Sequence, residues 1–197
     1  MNVSLIWITR IDDQEDRYLE EYLDNLKDID VEIVIIGHTQ INQDNIRYVP
    51  FYEHGIDSLG LICHKKNIGV LAASRNVCVV MHADIAPTRD TLVNYRWDNI
   101  KDGDIVCPVA TTPEGQVGYT WCRKFSTPKP ALEPFDANSY ISGACLIATK
   151  QTLLDNKWDQ NLRHNECEDV EMSDRLFAAK KNVYCDPQLQ FNIKTIQ

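Results

Sequence analysis

The chain has 197 residues, is 44% hydrophobic and carries a formal net charge of −9. That length and apolar content suit one domain, 1–197, with a sizeable core. The acidic balance, without any block of Lys or Arg, excludes a nucleic-acid binder, because a phosphate backbone is held by clustered cations.

Val3 to Ile8 (VSLIWI) is apolar and β-branched and predicts a first buried strand. It lacks the basic flank and long apolar core of a signal peptide. No stretch approaches the roughly 20 apolar residues that cross a bilayer, so no membrane span is expected. Polar Thr9 and Arg10 follow. Asp16 to Leu26 places Tyr18, Leu19, Tyr22, Leu23 and Leu26 at helical spacing. Val31 to Ile36 reads as a second strand closed by Gly37, and Ile46 to Val49 as a third ended by Pro50. Strand, helix and strand in this rhythm predict an α/β fold with a mostly parallel central sheet flanked by helices.

Lys65, Lys66 and Asn67 lead into a helix and then the apolar strand Val77 to Met81, which stops on His82-Ala83-Asp84. A further helix starts near Pro87 and Asp90 and runs through Trp97, and Asp104 to Ala110 predicts another strand. Thr111 to Ser139, rich in Pro, Gly and aromatic residues, reads as a long loop region lining a site. Tyr140 to Ala148 is an apolar strand interrupted by Ser142-Gly143, where glycine marks the close approach of a ligand or another backbone. Lys150 to Asn156 and Glu168 to Lys180 are helices, and Asn182 to Asp186 and Leu189 to Ile193 are short strands. The seven cysteines form no CxxC pair, and Cys78, Cys107, Cys145 and Cys185 lie in apolar runs. Burial of all seven in a reducing, cytoplasmic compartment is the expectation, rather than a disulfide framework or zinc site.

Three features invite chemistry. Ligands collect at the carboxyl ends of strands in open α/β sheets, and strand alternation puts His82 and Asp84 on one side of an extended segment. The triplet therefore reads either as a cation site or as a solvated turn. The Ser142-Gly143-Ala144 turn is the second feature. The third is the acidic run from Glu166 to Glu171, which reads either as ordinary N-terminal helix charge or as the source of a general base. An acidic protein that binds a diphosphate needs a divalent cation to neutralise it.

The segment NIGVLAASRNVCVVMHADIAP resembles the central block of family-2-type GT-A glycosyltransferases, with its N-x-G helix, apolar strand, D-x-D-like triplet and nearby proline. Ser142-Gly143-Ala144, Trp158-Asp159 and the helix Glu168-Asp169-Val170-Glu171-Met172-Ser173-Asp174-Arg175-Leu176 resemble that family's later motifs, in the same order. The resemblance covers most of residues 3 to 186. It implies a GT-A (nucleotide-diphospho-sugar transferase) fold, with 1–110 as the nucleotide-sugar-binding half and 111–197 as the acceptor and catalytic half.

Carried onto this sequence, the resemblance implies that Asp84, with His82, holds a divalent metal and that Asp169 is the catalytic base; His164, just before the acidic run, reads either as a further metal ligand, as a phosphate contact or as an ordinary loop histidine. Glu168 then orients an acceptor or sugar hydroxyl. Thr9, Arg10, His38, Lys66, Asn67, His82, Ala83, Asp84, Ser142 and Gly143 line the nucleotide sugar. The implied partners are a nucleotide-diphosphate sugar donor and a carbohydrate or glycan acceptor, with inversion at the anomeric centre. Two positions depart from the family. His82 replaces the first acid of the triplet, which favours Mn2+ over Mg2+ because magnesium prefers oxygen ligands. Ile36-Gly37-His38-Thr39 lacks the acid that contacts the base. A sugar-nucleotide pyrophosphorylase would show a glycine-rich, arginine-containing loop after the first strand, and Thr9-Arg10-Ile11-Asp12 is not one. The alternative from another class is a catalytically silent module of the same fold that binds a glycan or nucleotide.

Overall fold

The computed structural model describes residues 2–9, 13–39, 41, 43, 46–51, 61–117, 121–123, 134–163 and 166–194. The strands are β1 (Val3–Ile8), β2 (Glu32–Gly37), β3 (Ile46–Pro50), β4 (Val77–His82), β5 (Ile85–Pro87), β6 (Asp104–Thr111), β7 (Trp121–Arg123), β8 (Ser139–Ile141), β9 (Cys145–Thr149) and β10 (Asn182–Ile193). The helices are α1 (Asp13–Asp24), α2 (Ile62–Ala72), α3 (Arg89–Asn94), α4 (Lys150–Asp155) and α5 (Glu168–Ala178), with a 3-10 turn at Trp97–Asn99. Eight strands form the main sheet in the order β3-β2-β1-β4-β9-β6-β10-β5, and β7 pairs with β8 in a separate ribbon.

Both faces of the sheet are buried, which explains why β1 and β4 read as unbroken apolar runs. Along β1, Val3, Leu5 and Trp7 pack into one core with Leu19 and Leu23 of α1 and Leu92 of α3. Ile6 and Ile8 alternate to the other face, where Ile62 and Val70 of α2, Leu153 of α4 and Met172 and Leu176 of α5 meet them. The sheet thus sits between two helical layers.

The expectation of a mostly parallel sheet is corrected: the sheet is mixed. β1, β2, β3 and β4 pair in parallel, as do β6 and β10. β9 runs antiparallel to both β4 and β6, and β5 runs antiparallel to β10. The reason lies in the connections. A parallel crossover is normally carried by a helix, and the stretch between β6 and β9 has no helical periodicity. β9 instead leaves the edge at which β4 ends and returns along it.

Several local expectations shift as well. The apolar run at 140–148 is cut by a turn at 142–144 into β8 and β9. The two C-terminal strands are one strand whose register shifts between Asp186 and Gln190, around Pro187, which lacks the N–H a ladder needs. The helix expected through Trp97 stops at Asn94. Among the cysteines with described side chains, Cys63, Cys78, Cys107, Cys145 and Cys185 are buried, but Cys167 is exposed, so burial of all seven does not hold. No described helix is long and apolar enough to cross a membrane.

α2 is brought close to the sheet by Gly69, where an added Cβ would fall well inside van der Waals contact of Ile6 and 3.2 Å from Ile36 Cγ1. Gly69→Val is therefore expected to lie at the upper end of the about 1–3 kcal/mol that overpacking costs, lowering Tm by roughly 6–12 °C. An unchanged Tm in a thermal melt would mean that α2 does not sit this close to β1.

Candidate active site

The carboxyl ends of β1, β2 and β4 lie side by side, since the three strands are parallel neighbours. Thr9, just past β1, is 1% exposed. Its N–H donates to Ile36 O at 2.9 Å and its hydroxyl donates to His38 O at 2.9 Å. Gly37 has φ +134°, and a side chain there would collide with the Thr9 carbonyl, so only glycine lets β2 turn against Thr9. Lys65 Nζ donates to Thr9 O at 3.1 Å and stands 5.7 Å from the Phe51 ring centroid. Thr9 and His38, expected on the nucleotide side, are thus neighbours; Arg10 lies outside the described residues.

At the end of β4, the His82 N–H donates to Ala144 O at 2.9 Å. Pairing stops at His82 and residues 83–84 form a turn, so strand alternation does not extend to Asp84. Ala83 is buried at 2% exposure. Asp84 is half-buried, and its carbonyl accepts from Lys194 N at 2.8 Å. Burial, with the nearby Asp84 and Glu21 carboxylates, pushes the Tyr18 phenol up to about 12. The Asp84 carboxylate therefore lies within electrostatic range of α1.

The first turn of α5 meets the same region from the other side. Asp169 Oδ2 accepts from Gly143 N at 3.3 Å, and its Oδ1 accepts from Val170 N at 2.9 Å. Ser173, one turn on, donates to Asp169 O at 2.6 Å and accepts from Ile141 N at 2.9 Å, which fastens α5 to β8. A Cβ on Gly143 would stand 3.1 Å from Lys66 Nζ, 3.5 Å from Asp169 Cβ and 3.6 Å from Glu168 Oε1. Consecutive residues of the 142–144 turn thus touch Asp169 and His82, and the chain's two motif regions converge on that turn. Ser142, half-buried, accepts from Ala144 N at 3.4 Å through its hydroxyl and supports the turn.

Lys66 is fully buried, in the middle of α2. Burial lowers its pKa below the ordinary lysine value, while Glu168, Cys63, Asp169 and Cys145 act in the opposite direction. Its neighbour Asn67 spends its amide on Trp158, donating to the carbonyl at 2.9 Å and accepting from the N–H at 3.1 Å. That pairing places the Trp158 ring 5.5 Å from Lys66 Nζ. Ser173 was not singled out from the sequence, although its position one helical turn after Asp169 was a usable signal.

His82 and Asp84 are an imidazole and a carboxylate, a donor pair suited to Mn2+. His164 lies outside the described residues. Among the described residues, no group of three or more His, Cys, Asp or Glu gathers in a way that could hold a metal ion.

A mixed α/β sheet between helical layers, with this turn at the carboxyl ends of its strands, is similar to the fold of GT-A glycosyltransferases. Among solved structures it matches GalNAc-T7, determined with UDP, GalNAc and Mn2+, with a TM-score of 0.64 and 10% sequence identity. The match covers 98% of this chain and 44% of that one, so the chain spans under half the length of this neighbour. No protein-family model and no curated protein matches the sequence.

Proposed function

We propose that this protein is a glycosyltransferase that moves a sugar from a nucleotide-diphosphate donor to an acceptor hydroxyl, with inversion at the anomeric carbon, in glycan or polysaccharide assembly. The observation that carries this reading is the 142–144 turn, hydrogen-bonded through Gly143 to Asp169 and through Ala144 to His82. It brings a candidate base to the strand end where a diphosphate would be held. The GT-A-like fold supports the reading.

In the proposed reaction Asp169 takes the proton of the acceptor hydroxyl as that oxygen attacks the anomeric carbon, from the face opposite the diphosphate. The bond from that carbon to the diphosphate oxygen breaks, and its electron pair leaves with the phosphate. Two backbone N–H groups hold the Asp169 carboxylate in place, and each of its oxygens keeps a lone-pair site for the acceptor proton. Glu168, 7% exposed on the same turn, orients a hydroxyl of the acceptor or of the sugar. Thr9, Arg10 and His38 flank the base and ribose, with Ser142 and Gly143 nearer the sugar. Asp84 and His82, with His164, would hold the divalent cation, which when bound neutralises charge developing on the leaving diphosphate.

A thermal-shift screen of nucleotide sugars, with and without manganese, tests the proposal, because a ligand that binds the folded state raises apparent stability. A manganese-dependent rise with at least one nucleoside diphosphate or its sugar is expected. No shift across UDP, GDP and dTDP sugars would count against it.

A further inference from the structure

Lys66 is a cation where the packing calls for an apolar residue. It shares the buried side of α2 with Ile62, Cys63, Gly69 and Val70. Its Nζ is sealed from solvent and, among the described residues, makes no hydrogen bond. Moving an ammonium out of water costs several kcal/mol unless opposite charge compensates it. The groups facing it are Glu168 and Asp169 of α5, Cys63 of its own helix and Cys145 of β9, with the Trp158 ring alongside. Lys66 Nζ and Glu168 Oε1 both border the open side of Gly143, 3.1 and 3.6 Å from where a Cβ would stand. The amine faces these carboxylates, and they are the groups through which it would act.

We propose that Lys66 is a positioning residue: its ammonium is the internal counter-charge that fixes Glu168, and with it the first turn of α5, so that Asp169 faces an acceptor. The pairing is argued from the burial of Lys66 and the approach of both side chains to Gly143; its catalytic consequence rests on the glycosyltransferase reading above. Asn67 completes the device, because its two hydrogen bonds to Trp158 set the ring that flanks the ammonium.

The test compares Lys66→Met, Glu168→Gln and the double variant by thermal unfolding and by donor turnover. Lys66→Met leaves a buried carboxylate without its counter-charge and is expected to lower Tm by roughly 6–20 °C. Adding Glu168→Gln should return much of that loss, since groups that interact give non-additive effects. If Lys66→Met alone does not fold, recovery of folding in the double variant supports the pairing, and failure to recover overturns it. In turnover, Lys66→Met should lower kcat by about 10- to 100-fold, a loss of the size found when the outer partners of metal ligands are removed. The KM for donor should stay within about twofold, as for an interaction made only in the transition state. The effect on kcat should largely vanish in the Glu168→Gln background.

Additive Tm losses would overturn the pairing. A raised KM with unchanged kcat would overturn the positioning role in favour of direct donor contact. A wild-type protein that turns over no nucleotide sugar would overturn the transferase reading and the catalytic consequence, while the Tm comparison would still decide the pairing.

Discussion

Asp169→Asn is expected to lower turnover by about 10²- to 10⁴-fold while leaving donor affinity largely unchanged, the usual consequence of removing a general base. The substitution keeps the size of the side chain and removes its capacity to take a proton. Both Asp169 oxygens accept a backbone N–H, one from Gly143 and one from Val170. An amide offers only one acceptor oxygen, so one of those N–H groups loses its partner, at a cost of about 1–3 kcal/mol. The variant should therefore melt a few degrees lower but remain folded, because Ser173 still ties the backbone of α5 to β8. Steady-state kinetics alongside a melting curve separates the two effects. A wild-type rate in Asp169→Asn would remove this residue from the reaction.

Asp84→Ala is expected to abolish the manganese-dependent part of UDP binding. Truncating one partner of a close charge pair costs about 2–5 kcal/mol or more, which corresponds to roughly a 30-fold or greater loss of affinity. Asp84 is half-buried at the end of β4, with its backbone anchored by Lys194, so removing the side chain leaves the strand pairing intact. Its charge also helps to raise the Tyr18 phenol. Burial, the larger cause, still holds the Tyr18 pKa up without that carboxylate, so it should fall only part of the way toward its ordinary value, a change that ultraviolet titration of the tyrosines can follow. Calorimetry with UDP, with and without manganese, reads the main effect directly. Equal binding in the variant and the wild type would place the cation elsewhere.

The sequence revealed most where burial is two-sided. β1 and β4 are continuous apolar runs because helices cover both faces of the sheet, and their limits match the expected ones to within a residue. Strand direction was not legible in the same way. The run from Tyr140 to Ala148 shows that a buried strand exists, and nothing in its composition says that β9 runs antiparallel. That information lay in the connection before it, which lacks the helical pattern of a parallel crossover. β5 is three residues ending in proline, too short for any periodicity, and it is defined by its pairing with β10.

At the candidate site, residue types were legible and their partners were not. Asn67 invites reading as a ligand-binding amide, yet both its polar atoms are bonded to Trp158, 91 positions away in sequence. Two motifs that look independent along the chain thus pin each other. Lys66 carried a readable sign, because it falls on the helical stripe of Ile62, Cys63, Gly69 and Val70, all buried. A lysine on such a stripe needs a counter-charge, and the carboxylates that face it belong to α5. His82 and Asp84 were placed together by strand alternation, which the turn at 83–84 interrupts.

The most direct measurement is acceptor-independent hydrolysis: wild-type protein, manganese and a panel of nucleotide sugars, scored for free nucleoside diphosphate. Release from at least one donor, lost in Asp84→Ala for want of binding and in Asp169→Asn despite binding, is the expected result. A nucleotide sugar that binds tightly and is recovered intact would contradict it and identify a silent binding module instead.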